Sequence, residues 1–235
     1  MDATVMLPSV PCLVCGATDY KFDSIMWAGL VSEWGLSSVE AAYIDRQQGV
    51  HCLKCGSNLR SIALAGAILR WLGVECTLKQ AVRRLRFRTL RVLEINEAGS
   101  LSRFLSQSWR YTFAQYPEHD MTKLTYADES FDLVVHSDTL EHVPTPERGL
   151  AECRRVLRKS GACCYTVPVV VGRLTRTREG LPPSYHGREA DRAADYTVQT
   201  EFGADFWAMP LKAGFAECRV VTVEYPTAQA VACLK

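Results

Sequence analysis

The chain has 235 residues, 48% hydrophobic and 23% charged, with 27 basic against 26 acidic side chains for a formal net charge of +1. This suits one α/β domain plus a small appendage and excludes a disordered or low-complexity chain. No global field advertises nucleic acid or an anionic membrane, and neither a signal peptide nor a run of about 18 apolar residues is found, so a cytoplasmic protein without membrane attachment is expected.

Cys12-Leu-Val-Cys15-Gly16 and Cys52-Leu-Lys-Cys55-Gly56 are two near-identical knuckles. Each pair can hold two thiolates on one side of a tight turn whose glycine supplies a positive φ, and the two turns together complete a tetrahedral S₄ site. In a reducing compartment this reads as structural Zn²⁺ on Cys12, Cys15, Cys52 and Cys55, ahead of iron–sulfur or disulfides, with no open coordination position for catalysis. Cys76, Cys153, Cys163, Cys164, Cys218 and Cys233 read as small buried hydrophobes. Between the knuckles, Ser37-Ser-Val-Glu40 is a capping box opening a helix, and Trp27 and Trp34 belong to a core or to a lid over the neighbouring domain. The second knuckle runs into a helix capped by Ser57 or Asn58, a treble-clef-like arrangement. The basic run from Leu78 to Arg91 reads as an amphipathic helix with a solvated face, the alternative being a nucleic-acid patch.

Leu90 to Ile95 is a strand, followed by the turn Glu94-Ile-Asn96-Glu-Ala98-Gly99-Ser100, with Ser100 placed to cap a helix from Leu101 to Leu105. Tyr111 to Ala114 reads as the next strand. Phe131, Leu133, Val134 and Val135 form a buried parallel strand ending near His136, and Ser137, Asp138, Glu141 and His142 lie just beyond, where open α/β sheets place their chemistry. Thr145-Pro146-Glu147 starts a helix that Gly161 is placed to end. Ala162 to Pro168 is a further strand, extended by Val169 to Val171. The polar stretch from Arg173 to Thr200 reads as a long functional loop, whose Arg173, Arg176, Arg178, Arg188 and Arg192 could hold a carboxylate or phosphate or be solvated. Glu201 to Trp207 begins a last helix ended by Gly214, and Val220–Tyr225 and Ala228–Leu234 form a terminal pair of strands.

Asp128-x-Ser-Phe-Asp-Leu-Val, Leu140-Glu-His-Val-Pro, Glu152-x-x-Arg-Val-Leu and Tyr165-Thr-Val-Pro168 behind a glycine together resemble the second half of a class I S-adenosylmethionine-dependent methyltransferase of the methyltransferase type 11 kind, over roughly Leu90 to Phe215. The resemblance implies a Rossmann-like α/β sheet, trimmed around its third strand because the chain leaves little room there. The division it suggests is a zinc-binding module with a helical insertion over 1–75 and a methyltransferase domain over 76–235, with a substrate lid at about 172–200. It implies S-adenosylmethionine against Glu94, Asn96, Ala98 and Gly99, where Asn96 and Ala98 replace expected glycines. Gln115 or Glu118 would meet the ribose hydroxyls, Asp120 the adenine amino group, and Met121 the ring, with Ser137 and Asp138 on the pocket floor. For a hydroxyl acceptor the base candidates are His186 on the lid, then His142, with His136 behind them and Tyr185 beside the transfer centre. The expected activity is O-methylation of a small molecule, sugar or glycan, with nucleic acid not the expected partner. The rival readings are a non-catalytic binding protein that has lost the cofactor, and an RNA methyltransferase guided by the basic run.

Overall fold

The structure, a computed structural model, describes residues 7–185 and 197–235. In chain order its elements are β1 (Tyr20–Phe22), α1 (Ala28–Glu33), α2 (Ser38–Gly49), β2 (Val50–Cys52), α3 (Leu59–Leu72), α4 (Leu78–Ala81), α5 (Leu85–Arg88), β3 (Arg91–Ile95), α6 (Ser102–Leu105), β4 (Arg110–Ala114), β5 (Phe131–Ser137), α7 (Pro146–Val156), β6 (Leu157–Thr166), β7 (Val169–Val170), β8 (Arg176–Thr177), β9 (Thr200–Gly203), α8 (Ala208–Lys212), β10 (Glu217–Val223) and β11 (Ala228–Leu234).

Six strands form the central sheet in the order β10-β11-β6-β5-β3-β4. β4, β3, β5 and β6 are parallel, while β11 runs antiparallel to β6 and to β10. The chain leaves β3 for β4 on one side and then crosses to β5 on the other. That reversal opens a crevice at the carboxyl ends of β3 and β5, where ligands of open α/β sheets bind. Among the described residues no strand lies beyond β4, and a 3₁₀ turn at Met121–Lys123 leads on toward β5.

Both faces of the inner parallel strands β3, β5 and β6 are largely buried, which is why they read as continuous apolar runs, whereas the edge strand β4 is partly exposed. Alternate residues Leu133 and Val135, with Val92, Ala162, Cys164, Ala228, Ala230 and Ala232, face α3, whereas Leu93, Val134, Cys163, Tyr165 and Val231 face the side covered by α7. α3 is fixed at both ends: the Asn58 side chain accepts from Ser61 N, and Gly73 closes the helix in the left-handed region at φ 66°. Its fully buried Leu59, Leu64 and Ile68 each contribute about 1.5–3 kcal/mol by burial. Cys12, Val14, Cys52 and Cys55 belong to the same core cluster as α3 and this sheet face. The knuckles therefore do not stand on a core of their own.

Several elements depart from the sequence reading. The basic run forms two short helices, because Arg84 adopts an extended conformation (ψ 143°) and Arg86 Nη1 turns back to donate to Leu72 O, 2.8 Å. Gly161 does not end a helix. α7 stops at Val156, where extended Leu157 passes directly into β6, and Gly161 sits inside that strand with a Cβ position 2.9 Å from the carbonyls of Arg158 and Asp132. The β5–β6 register slips at this place, so a side chain there would meet backbone on both strands. Glu201 to Gly203 is strand β9, not the start of a helix, and a Cβ on Gly203 would overlap the backbone of Arg173 and Leu174. α8 is correspondingly short. Val169 and Val170 do not extend β6 but form β7, which pairs with β9, and β8 pairs on the other side of β9. The stretch after Arg173 is thus partly ordered by a small three-stranded sheet.

The capping box at Ser37 and Glu40 is present, and Glu40 also receives Arg173. Arg173 Nε and Nη2 each lie 3.1 Å from a Glu40 carboxylate oxygen, while Nη1 and Nη2 donate to Trp34 O and Gly35 O at 2.7 Å. The Arg173 hydrogen bond holds the Glu40 carboxyl down at about 2 against an ordinary 4.5. Because the folded-state value is depressed, the stability this clasp adds is complete above about 4.5 and is lost as pH falls toward about 2. Glu40→Gln keeps the capping box and removes the titration. Denaturant melts across this window are expected to show a steeper acid loss in the native chain than in the variant, and identical slopes would remove the clasp from the account.

Candidate cofactor crevice and four-cysteine cluster

The crevice is shaped by a buried carboxylate. Glu94, fully buried at the end of β3, accepts from Ala98 N at 2.7 Å, Ser102 Oγ at 2.5 Å and Tyr111 Oη at 2.7 Å. Burial, then the bond to Glu94, pushes the Tyr111 phenol up, so it remains a donor. The turn these bonds hold has two left-handed residues, Asn96 at φ 52° and Gly99 at φ 55°. Asn96 tolerates that region where the resembled family has glycine. Its Oδ1 accepts from Tyr116 N at 3.0 Å, joining the end of β4 to the turn, and its Nδ2 lies 3.5 Å from Thr139 Oγ1 beyond β5. Ala98 is fully buried.

Ser100 does not cap a helix here. The turn continues as a 3₁₀ segment, Gly99–Leu101, before the four-residue α6, and Ser100 Oγ donates to Ser57 Oγ at 2.7 Å, tying the turn to the second knuckle. Gln115 and Glu118 are exposed at the rim of β4. Asp120 forms no ion pair among the described residues; its Oδ1 caps the following turn by accepting from Thr122 N (2.7 Å) and Thr122 Oγ1 (2.8 Å). Met121 is buried against Gly149 of α7, its Cγ 3.3 Å from that residue's Cβ position, so its side chain is held in the core instead of covering a ring.

On the β5 side, Ser137 Oγ and Thr166 Oγ1 share a hydrogen bond of 2.8 Å, and Asp138 takes a left-handed conformation at φ 49°. Asp138 is ion-paired with Arg60, which reaches it from the first turn of α3 and is only 2% exposed. Arg60 also donates through Nε and Nη2 to Gln47 Oε1, and Gln47 Nε2 donates to Thr227 O at 2.6 Å. A buried polar chain therefore joins α2, α3, the crevice and the β10–β11 turn. Arg60 and Gln47 were missed by the sequence reading. Their only signal is an arginine in the first turn of a tightly buried helix whose other arginine, Arg70, is exposed near its end.

His136 cannot act as a base in this crevice. It is fully buried, stacked on Tyr165 with centroids 4.8 Å apart, and burial lowers its pKa to about 3. It lies beside Cys153 and Cys163 on the α7 face of the sheet. His142 Nδ1 lies 3.1 Å from Thr197 O, Nε2 lies 3.9 Å from Glu141 Oε1, and Gln199 N donates to Glu141 O at 2.7 Å. Glu141 and His142 thus clasp the segment at Thr197–Gln199 that leads into β9. Tyr185 pairs across the lid with Thr197. His186, Arg188 and Arg192 lie outside the described residues. Arg176 and Arg178 are both paired with the buried Glu201, and Arg173 with Glu40, so these arginines tie the stretch after β7 to β9 and α2. Trp34 is buried and donates Nε1 to Ser184 Oγ at 2.8 Å, so it packs in a core and touches the lid at once.

The two knuckles meet as their spacing requires. Gly16 N donates to Cys12 O (2.7 Å) and Gly56 N to Cys52 O (2.8 Å), with φ 82° and 69° at the glycines. Cys12 Sγ is 3.7 Å from Cys55 Sγ, Cys15 Sγ is 3.6 Å from Cys52 Sγ, and all four sulfurs lie within 4.8 Å of one another. The Cys55 thiol is pulled down to about 4, chiefly by the hydrogen bond with Cys12, with Ser57 adding to it. The set is arranged to hold one metal ion.

Residues 72–165 match the family described as "Methyltransferase domain". The rice (Oryza sativa subsp. japonica) 2-methyl-6-phytyl-1,4-hydroquinone methyltransferase 1, chloroplastic, is 38% identical over 52 residues, 22% of this chain and 16% of that protein. The chain spans about a sixth of the length of the curated relatives it matches. Among solved structures, a SAM-dependent methyltransferase from Thermotoga maritima has a TM-score of 0.43 at 19% identity, covering 75% of this chain and 90% of that one. An S-adenosylmethionine dependent methyltransferase from Mesorhizobium loti has a TM-score of 0.40 at 14% identity, covering 67% and 97%. No helix among the described residues is long and apolar enough to cross a membrane. The matched stretch runs from the end of α3 into β6 and takes in β3, β4 and β5, so the similarity to a methyltransferase domain falls on the strands that border the crevice.

Proposed function

We propose that the chain transfers a methyl group from S-adenosylmethionine to a hydroxyl of a small molecule, sugar or glycan, with a structural zinc ion in its four-cysteine cluster. The observation that carries this reading is the turn after β3. Two left-handed residues, Asn96 and Gly99, and a buried Glu94 that gathers three donors fold the chain into a tight turn at the carboxyl end of β3, beside Asp138 at the end of β5. Such a cradle fits the methionine end of the cofactor, which a Cβ would obstruct. When bound, the cofactor supplies an electrophilic methyl carbon.

In this reading the chain's residues orient and enclose. Gln115 or Glu118 at the rim meets the ribose hydroxyls, Asp120 meets the adenine edge with the carboxylate oxygen that does not cap Thr122, and Ser137 and Asp138 floor the pocket. His142, directed to Thr197 O through Nδ1 and facing Glu141 through Nε2, holds the lid. The lid residues Tyr185 and His186 are then left to take the acceptor's proton, and alignment of the acceptor oxygen with the methyl carbon supplies most of the rate.

Four thiolates fit zinc by distance. A tetrahedron with bonds of about 2.3 Å has sulfur–sulfur edges of about 3.8 Å, against 3.7 and 3.6 Å between the facing knuckles. A full set of protein ligands makes the ion structural.

Titration of S-adenosylhomocysteine into the full chain by calorimetry is expected to give one saturable site per chain with micromolar affinity, about −8 kcal/mol. Absence of heat and of any thermal shift at millimolar ligand would sink the enzyme reading.

A further inference from the structure

A second concave site lies away from the crevice. A cavity of about 400 Å³ opens between the two knuckles and the face formed by α4 and α6, lined by the cations Lys54, Lys79, Arg83 and Arg103 together with Phe104, Gln107 and the knuckle residues Cys15 and Cys55, and by no Asp or Glu. Lys54 stands between Cys52 and Cys55, Lys79 lies on α4, and Arg83 lies in the turn two residues beyond the end of that helix. Arg103 is fixed in place, its Nη2 donating to Cys55 O and its guanidinium 5.0 Å from the Phe104 ring centroid. Among the described residues Lys54, Lys79 and Arg83 form no ion pair.

The composition of the surrounding chain is equally one-sided. Residues 76–117 carry eight Lys and Arg against two acids, Glu94 and Glu97, although the whole chain is at +1, and Glu94 is fully buried beneath the turn. Like charges gathered at one concavity repel one another and are destabilising unless something offsets them. The knuckles offset part of this: a divalent ion on four thiolates carries a formal charge of about −2. The four cations of the cleft exceed that and leave it positive.

We propose that this cleft binds the phosphoryl groups of a compact, multiply charged ligand of the pyrophosphate class. Arginine presents a fork of donors that matches phosphate oxygens, lysine adds a mobile point charge, and together they meet a diphosphate from several sides. The cavity volume lies at the small end of ligand sites, about 300–1,000 Å³, which suits a compact anion better than an extended strand.

Inorganic pyrophosphate titrated into the zinc-loaded full chain, with zinc content measured before and after, is expected to bind at one saturable site. Its affinity should weaken about tenfold or more between about 50 and 200 mM salt. The double variant Lys79→Gln/Arg83→Gln, altered only at exposed side chains, should lose at least about tenfold in affinity while melting temperature, zinc content and S-adenosylhomocysteine affinity stay unchanged. No saturable pyrophosphate binding at low salt would overturn the proposal, as would equal binding by the double variant. Retention of a single-stranded oligoribonucleotide without pyrophosphate binding would also overturn it and assign the face to nucleic acid.

Discussion

Stripping the metal from the four-cysteine cluster, or replacing Cys52 by serine, is expected to unfold the entire chain in one transition. Cys12, Cys52 and Cys55 share a continuous core with α3 and with Val92, Leu133 and Val135 on one face of the sheet. The metal-free knuckles would hold partly charged thiols close together, with Cys55 pulled low and Cys12 pushed high by their mutual bond. Structural zinc sites in small modules have apparent binding free energies of about 10–16 kcal/mol, comparable with the whole stability of a domain at about 5–15 kcal/mol. Metal loss therefore removes enough to release α3, and with α3 the sheet face. The measurement is a denaturant melt with and without chelator, followed by far-UV circular dichroism and by cofactor-product binding. Coincident loss of both signals is expected. A chelated chain that keeps a cooperative melt and still binds S-adenosylhomocysteine would show that the knuckles are peripheral.

The second large effect is expected at Arg60. Its guanidinium is 2% exposed, pairs with Asp138 at the crevice floor and donates to Gln47. Breaking a buried pair by removing one partner leaves the other charge uncompensated, and Arg60→Met should cost about 3 kcal/mol, the lower end of the usual range because Asp138 retains access to water. Arg60→Lys should recover little, since one ammonium cannot address Asp138 and Gln47 together. Cofactor-product affinity should fall alongside, because Asp138 holds its left-handed conformation with this partner. A double-mutant cycle with Asp138→Asn tests the coupling. Additive effects on both stability and affinity would show that the two side chains do not act together.

Much of the parallel sheet was legible in the sequence because its inner strands are buried on both faces, and Leu133-Val-Val and Arg91-Val-Leu leave little choice of element. The capping box at Ser37, the cap at Asn58 and the two knuckles are local devices within a few residues and were readable for that reason. What escaped was set by contacts distant in sequence. Gly161 looks like a helix terminator until Asp132 is seen across the strand, and Glu201 looks like a helix start until Arg176 and Arg178 are seen to meet it. The lid arginines resembled an anion site because their carboxylate partners, Glu40 and Glu201, lie elsewhere in the chain. In the crevice, the role of Asn96 followed from its tolerance of positive φ, whereas Met121 and His136 were misjudged because both turn into the α7 side of the core. Arg60 lay in a helix read for its apolar face, and nothing local tells that it reaches Asp138.

The core shared by α3 and the sheet sets small side chains among its large ones. Ala63, Ala65 and Ala67 on the helix share a fully buried cluster with Ala228, Ala230 and Ala232 on β11, and a Cβ on Gly66 would stand 3.1 Å from Leu13 and from Val221. At Gly66 an added methyl group would push on Leu13 and Val221, so the packing there has little slack. The four-cysteine end of the chain and its sheet therefore share one core. Grafting these knuckles onto another α/β scaffold, or shuffling them between homologues, would require the alanines of β11 to travel with α3, so the two halves can diversify only together.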